Sequence, residues 1–219
     1  FRTTGKRDAE LAEAERLARE YGVSYRALSR EDLAKEEPHI RGDFVGGLKW
    51  NDPWSVTNPH GLTQAYLTYF QSLGGRFVKG DATSLETGAS GKGWRVKTDD
   101  GMVEGDDVVL ALGPWSEEVT RKFGYRFLLG VKRGYHMHYQ TEGNAVLNHT
   151  VYDSDNRYVL APMANGVRLT TGAEFAHRDA PPTPVQLERL EPLARRFFPL
   201  AGRVDPKPWM GSRPCTSDM

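Results

Sequence analysis

Apolar residues recur at helical spacing in several stretches of the chain. Along 8–21, Leu11, Ala14, Ala18 and Tyr21 line one face, with Asp8 placed to cap the start and Gly22 to end it. Ser29 with Asp32 three residues on resembles a capping box for a short helix that Pro38 terminates. The strongest signal follows Asn58. Leu62, Ala65, Tyr66, Tyr69, Phe70 and Leu73 form one stripe, Pro59 suits the first helical position, and Gly74-Gly75 stops the helix. A last helix starts at Thr183-Pro184 and turns Leu187, Leu190, Ala194 and Phe197 inward. Pro192 lacks a backbone donor and is expected to kink or split it.

Strand patterns fill the space between. Residues 39–57, rich in Gly, Pro, Asp and Trp, read as loop with one short strand, and Arg76–Val78 reads as another strand. Trp94–Thr98 and Met102–Glu104 flank Asp99-Asp100-Gly101, a turn sequence that predicts a hairpin. Val108–Leu112 is a continuous apolar run, the form of a strand buried on both faces, and it ends at Gly113-Pro114-Trp115-Ser116. From Val131 to Thr171 the chain is strand-rich: Tyr135, Met137 and Tyr139 alternate with His136 and His138. Tyr158–Pro162 and Val167–Thr171 surround the turn Ala164-Asn165-Gly166, and Gly211-Ser212-Arg213-Pro214 reads as a further turn. The pattern predicts an α+β fold.

Composition removes several function classes. Lys+Arg and Asp+Glu both number 29 among 219 residues, so the net charge is zero and no nucleic-acid partner is expected. Cys215 stands alone, which rules out an intrachain disulfide or a multi-cysteine metal site; His136-x-His138 lacks further ligands at suitable spacing, so no metal is expected. The apolar run at 108–112 is too short to cross a bilayer, so no transmembrane segment is expected. No nucleophile is paired with a base, and no Gly-x-Gly-x-x-Gly occurs. Both ends read as cut, because the chain opens on Phe1 and stops just after a turn.

The blocks around these elements carry a resemblance. Asp-Asp-Val-Val-Leu-Ala-Leu-Gly-Pro-Trp-Ser at 106–116 resembles the segment that FAD oxidoreductases of the D-amino-acid oxidase superfamily, which includes D-amino acid dehydrogenase and glycine oxidase, place after their β-meander. Phe1-Arg2 with Gly5, Asn58-Pro59 through Gly75-Arg76-Phe77, and Arg157-Tyr158-Val159 are similar to family blocks in the same order. Trp209-Met210-Gly211-Ser212-Arg213-Pro214-Cys215-Thr216-Ser217-Asp218 resembles the family's Gly-x-Arg-Pro-x-Thr-x-Asp signature.

The resemblance implies an internal fragment of a two-domain FAD enzyme, without the N-terminal dinucleotide fingerprint and the C-terminal segment over the flavin. Residues 1–55 and 119–208 are then expected to form an antiparallel-sheet substrate domain, with 56–118 and 209–219 as pieces of the FAD-binding domain. It implies that Arg213 grips a substrate carboxylate with its two-donor fork, that Tyr158 donates a second hydrogen bond, and that Tyr135 lines the pocket. Ala82, Thr83, Ala111, Leu112, Gly113, Trp115 and Ser116 are the implied FAD contacts. A packed strand tyrosine is the competing account of Tyr135 and Tyr158. The implied reaction is hydride transfer from the Cα of a D-amino acid or related amine to FAD, giving an imine and then a keto acid, with no acid–base residue of the protein's own. Electrons would pass to oxygen or a quinone. A fragment is expected to be inactive and to hold FAD weakly or not at all. The expected location is cytoplasmic, compatible with peripheral attachment to an inner membrane. A 2-hydroxy acid or glycerol-phosphate substrate, or a non-catalytic subunit, are the alternatives.

Overall fold

The computed structural model describes residues 1–216. In chain order the elements are α1 (Thr4–Tyr21), β1 (Tyr25–Leu28), α2 (Arg30–Glu36), β2 (Gly47–Trp50), α3 (Pro59–Ser72), β3 (Glu86–Thr87), β4 (Trp94–Thr98), β5 (Gly101–Gly105) and α4 (Ser116–Thr120). There follow β6 (Gly130–Thr141), β7 (Val151–Asp153), β8 (Tyr158–Met163), β9 (Gly166–Thr170), β10 (Glu174–Phe175), α5 (Val185–Phe197), β11 (Leu200–Arg203) and β12 (Trp209–Cys215). The fold is α+β with antiparallel sheets, as expected. Two compact units emerge: Phe1–Asn58 with Gly134–Ala173 and Pro181–Gly211, and Pro59–Arg133 with Glu174–Ala180 and the chain from Ser212 on. The chain passes from one to the other after Asn58, Arg133, Ala173, Ala180 and Gly211.

The first unit is built on the largest sheet, in which β9, β8 and β7 follow β6 in antiparallel order. Tyr135, Met137, Tyr139, Tyr158, Leu160, Val167 and Leu169 are buried on one side of it, packed with Leu187, Ala194 and Phe197 of α5. Each such side chain removed from water contributes about 1.5–3 kcal/mol. Pro192 lies within α5, yet the helix runs unbroken from Val185 to Phe197, so no split occurs there. At the β8–β9 turn Gly166 has φ +115°, and a Cβ there would lie 2.3 Å from the Tyr139 carbonyl oxygen.

Polar clamps tie the first unit's remaining pieces down. Asp153, 4% exposed, accepts both Nη atoms of Arg2 at 2.9 Å, plus the Asp155 and Asn156 N–H groups and the Asn156 amide. Burial alone would raise its carboxyl, but the Arg2 and Asn156 hydrogen bonds hold it well below the usual carboxylate range. Ser29 Oγ accepts the Asp32 N–H at 3.1 Å, the cap expected for α2. Helix α1 begins at Thr4, ahead of Asp8, and closes on Gly22 at φ 68°, with the Gly22 N–H donating to Ala18. Strand β1 has no readable alternation because most of it is exposed; only its pairing with β2 defines it.

In the second unit β3, β4 and β5 form the predicted hairpin plus one strand, with Val96 opposite Val103. Three expectations change. Residues 76–78 form no strand; the nearest ladder contact is an isolated bridge between Gly80 and Thr98. Val108–Leu112 is not a buried strand: it pairs with nothing among the described residues, and Val109 is 89% exposed. A strand buried on both faces needs neighbours for its N–H and C=O groups, and no described residue supplies them. The turn read at 211–214 is instead part of β12, which pairs with β6.

Candidate functional site

The sheet of the first unit has one filled face and one open face. His136 lies opposite Thr170, which lies opposite Val159; in the next row His138 faces Arg168, which faces Ala161. Residues directly opposite one another share a face, so these two rows form the side away from α5. Trp209 stacks on His136, with ring centroids 4.6 Å apart and planes 20° from parallel, and the two histidine rings meet edge-on at 5.1 Å. Burial, reinforced by His138 and Arg168, pushes the His136 imidazole down to about 4, so it is neutral at pH 7. His138 Nδ1 lies 3.4 Å from Asp205. Arg168 makes no hydrogen bond or ion pair among the described residues, and its Nε is buried without a partner.

Tyr135 and Tyr158 sit on the other face. Tyr135 is 2% exposed, and its hydroxyl oxygen accepts the Thr183 N–H at 2.9 Å. Tyr158 is 1% exposed and meets Phe197 edge-on at 6.1 Å. Its hydroxyl lies near Asp153 without hydrogen-bond geometry, and burial with that negative charge pushes it well up. Both side chains therefore lie in the core of this unit. Strand parity gives the reason: moving one residue along a strand changes the face, and the open-face member of that pair on β8 is Val159.

In the second unit the implied cofactor residues converge from distant parts of the chain. Ala82 and Thr83 lie in a single 3-10 turn capped by Asp81, whose carboxylate accepts the Thr83 N–H at 2.8 Å. That turn packs against α4, and Lys122 donates to the Thr83 carbonyl. Gly113 has φ +55°, and nothing lies within 4 Å of where its Cβ would be. Ala111 is exposed, Leu112 half-buried, and Trp115 lies 5.4 Å beneath the Arg178 guanidinium. Ser116 opens α4 and lines a cavity of about 420 Å³ with Leu110, Tyr125, Phe127 and Thr120. Thr120 is 7% exposed and its hydroxyl has no partner, an orphaned polar atom that a bound polar group would satisfy. Sequence reasoning missed Thr120, because nothing in the pattern marks a helical threonine as unpaired. These features fit a ligand such as FAD at 111–120. Arg213 lies on β12, exposed and without an ion pair among the described residues; Ser217 and Asp218 of its motif fall outside them.

A second cavity of about 620 Å³ lies in the first unit, between α1, β2 and α2. Its buried acid, Glu37, already accepts the Asn148 and His149 N–H groups. No group of three or more potential metal ligands occurs among the described residues, and none of their helices is long and apolar enough to cross a membrane.

A D-amino acid dehydrogenase of Bradyrhizobium diazoefficiens is 28% identical over 210 residues, covering 92% of this chain and 49% of the relative. The chain thus spans about half the length of the curated relatives it matches. The solved glycine oxidase of Geobacillus kaustophilus has a TM-score of 0.80 at 19% identity, over 99% of this chain and 58% of that one. An L-alpha-glycerophosphate oxidase from Mycoplasma pneumoniae, solved with FAD bound, reaches 0.77 at 16% identity, over 98% and 60%. At these identities the two structures speak for the fold alone. The FAD dependent oxidoreductase family model matches residues 2–219, and the chain belongs to that family.

Proposed function

We propose that this chain is part of a flavin enzyme that oxidises D-amino acids or closely related amines to imines, which hydrolyse to keto acids. The observation that carries the substrate class is the likeness to a D-amino acid dehydrogenase over 92% of the chain. The orphaned Thr120 hydroxyl beside the open backbone at Gly113 supports cofactor contact along 111–120, with Ala82 and Thr83 adjoining through α4. FAD, when bound, supplies the two-electron acceptor for the hydride leaving the substrate Cα. The chain's own share is binding and orientation. Arg213 is the proposed carboxylate clamp, its planar fork without an ion pair among the described residues. Tyr158 and Tyr135 act in this reading as packing behind the sheet, and direct hydrogen bonding by either requires it to leave the core.

The test uses the full-length protein, scanned for flavin absorbance before and after anaerobic D-alanine. Bleaching that Arg213→Lys reduces by about tenfold or more in rate supports the reading. Bound flavin bleached by glycerol phosphate or a 2-hydroxy acid, and by no amino acid, transfers the chain to the second reading, which the glycerophosphate oxidase fold keeps in view. Absence of bound flavin overturns the proposal. Reoxidation by oxygen against a soluble quinone then identifies the acceptor.

A further inference from the structure

The open face of the sheet carries an uncompensated cation. Arg168 is half-buried on β9, and its cross-strand neighbours, His138 and Ala161, bring no negative charge. Its Nε is buried without a partner, and no acid reaches its guanidinium among the described residues. Guanidinium groups remain charged at any ordinary pH, and burial of an unpaired charge is unfavourable. Other paired arginines of the same unit show the contrast: Arg2 has Asp153, and Arg195 and Arg203 share Glu191.

We propose that Arg168, flanked by His136 and His138, forms a carboxylate-binding site on the open face of the sheet, and that it takes an acidic group of the amine substrate. The ligand's identity as substrate rests on the amine-oxidation reading; the site itself does not. Charge decides the class of anion. Arg168 supplies a single positive charge, His136 is neutral at pH 7, and the one nearby acid among the described residues, Asp205, lies 3.4 Å from His138. That balance suits a singly charged carboxylate held by a planar fork better than a phosphate dianion. The flat wall made by Trp209 stacked on His136, with Thr170 opposite His136 in the same row, offers the body of a small molecule an apolar surface and a hydroxyl.

The experiment titrates the full-length protein with acetate and inorganic phosphate, following the ring signals of His136 and His138 by NMR. Saturable binding of acetate, weakened at least about tenfold by Arg168→Gln, is the expected result. Arg168→Lys, which keeps the charge and loses the fork, is expected to bind a few-fold more weakly, and it serves if the glutamine variant fails to fold. No saturable acetate binding, or binding that neither Arg168 variant weakens, overturns the site. Tighter binding of phosphate than acetate overturns the carboxylate assignment. Flavin bleaching is read separately, so failure of the amine-oxidation reading leaves a distinct signature.

Discussion

Helices α5 and α3 carry the same kind of apolar stripe and meet opposite fates. In the first unit Leu187, Ala194 and Phe197 of α5 are buried against the sheet. In the second, no residue of α3 is buried, and Leu62, Tyr66, Tyr69 and Phe70 are all exposed. Periodicity specifies which side of a helix wants a partner. It does not specify whether the partner lies in the same stretch of chain.

Substitutions can break that comparison. Leu160→Ala, at a position with 0% exposure, is expected to lower the stability of the chain by about 3 kcal/mol in urea unfolding. An effect below about 1 kcal/mol would mean the first unit's core is not the organising one. Asp153→Ala strands Arg2 and three other donors, and a loss of about 2 kcal/mol is expected at pH 7. Because the folded carboxyl titrates below its usual 3.8, its contribution is present above that value and drains away as pH falls further. The gap between Asp153→Ala and the parent should therefore narrow below about pH 4.

Smaller effects sharpen the contrast. His136 should titrate by NMR near 4 rather than 6.5, and Trp209→Leu should raise that midpoint by removing the stacked ring. A folded-state value below the unfolded one disfavours the charged fold, so this group reduces stability as pH drops from 6.5 toward 4. Least of all, Tyr69→Ser on exposed α3 should change the chain's stability by no more than about 0.5 kcal/mol. A loss several times larger would show that the stripe is covered in solution.

Much of the fold was legible because local rules decided it: the Ser29 cap, Gly22 at the end of α1, the Asp99-Asp100-Gly101 turn, and the alternation along β6. Val108–Leu112 was not, since an apolar run reports a wish for burial and only neighbouring strands can grant it. The candidate site was half legible. On β6 the histidines separate cleanly from Tyr135, Met137 and Tyr139. On β8 Tyr158, Val159 and Leu160 are all apolar enough to face either way, so parity is invisible there. Arg168 and Thr120 stand out only through what they lack, a partner, which no sequence pattern records.

Gly166 sits two residues from Arg168 and faces the Tyr139 carbonyl with no clearance at all. Any side chain there must displace β6 or β9, and with them the separation of Arg168 from His138. The dimensions of the proposed carboxylate site are thus set by a missing atom, at a turn that touches no ligand itself.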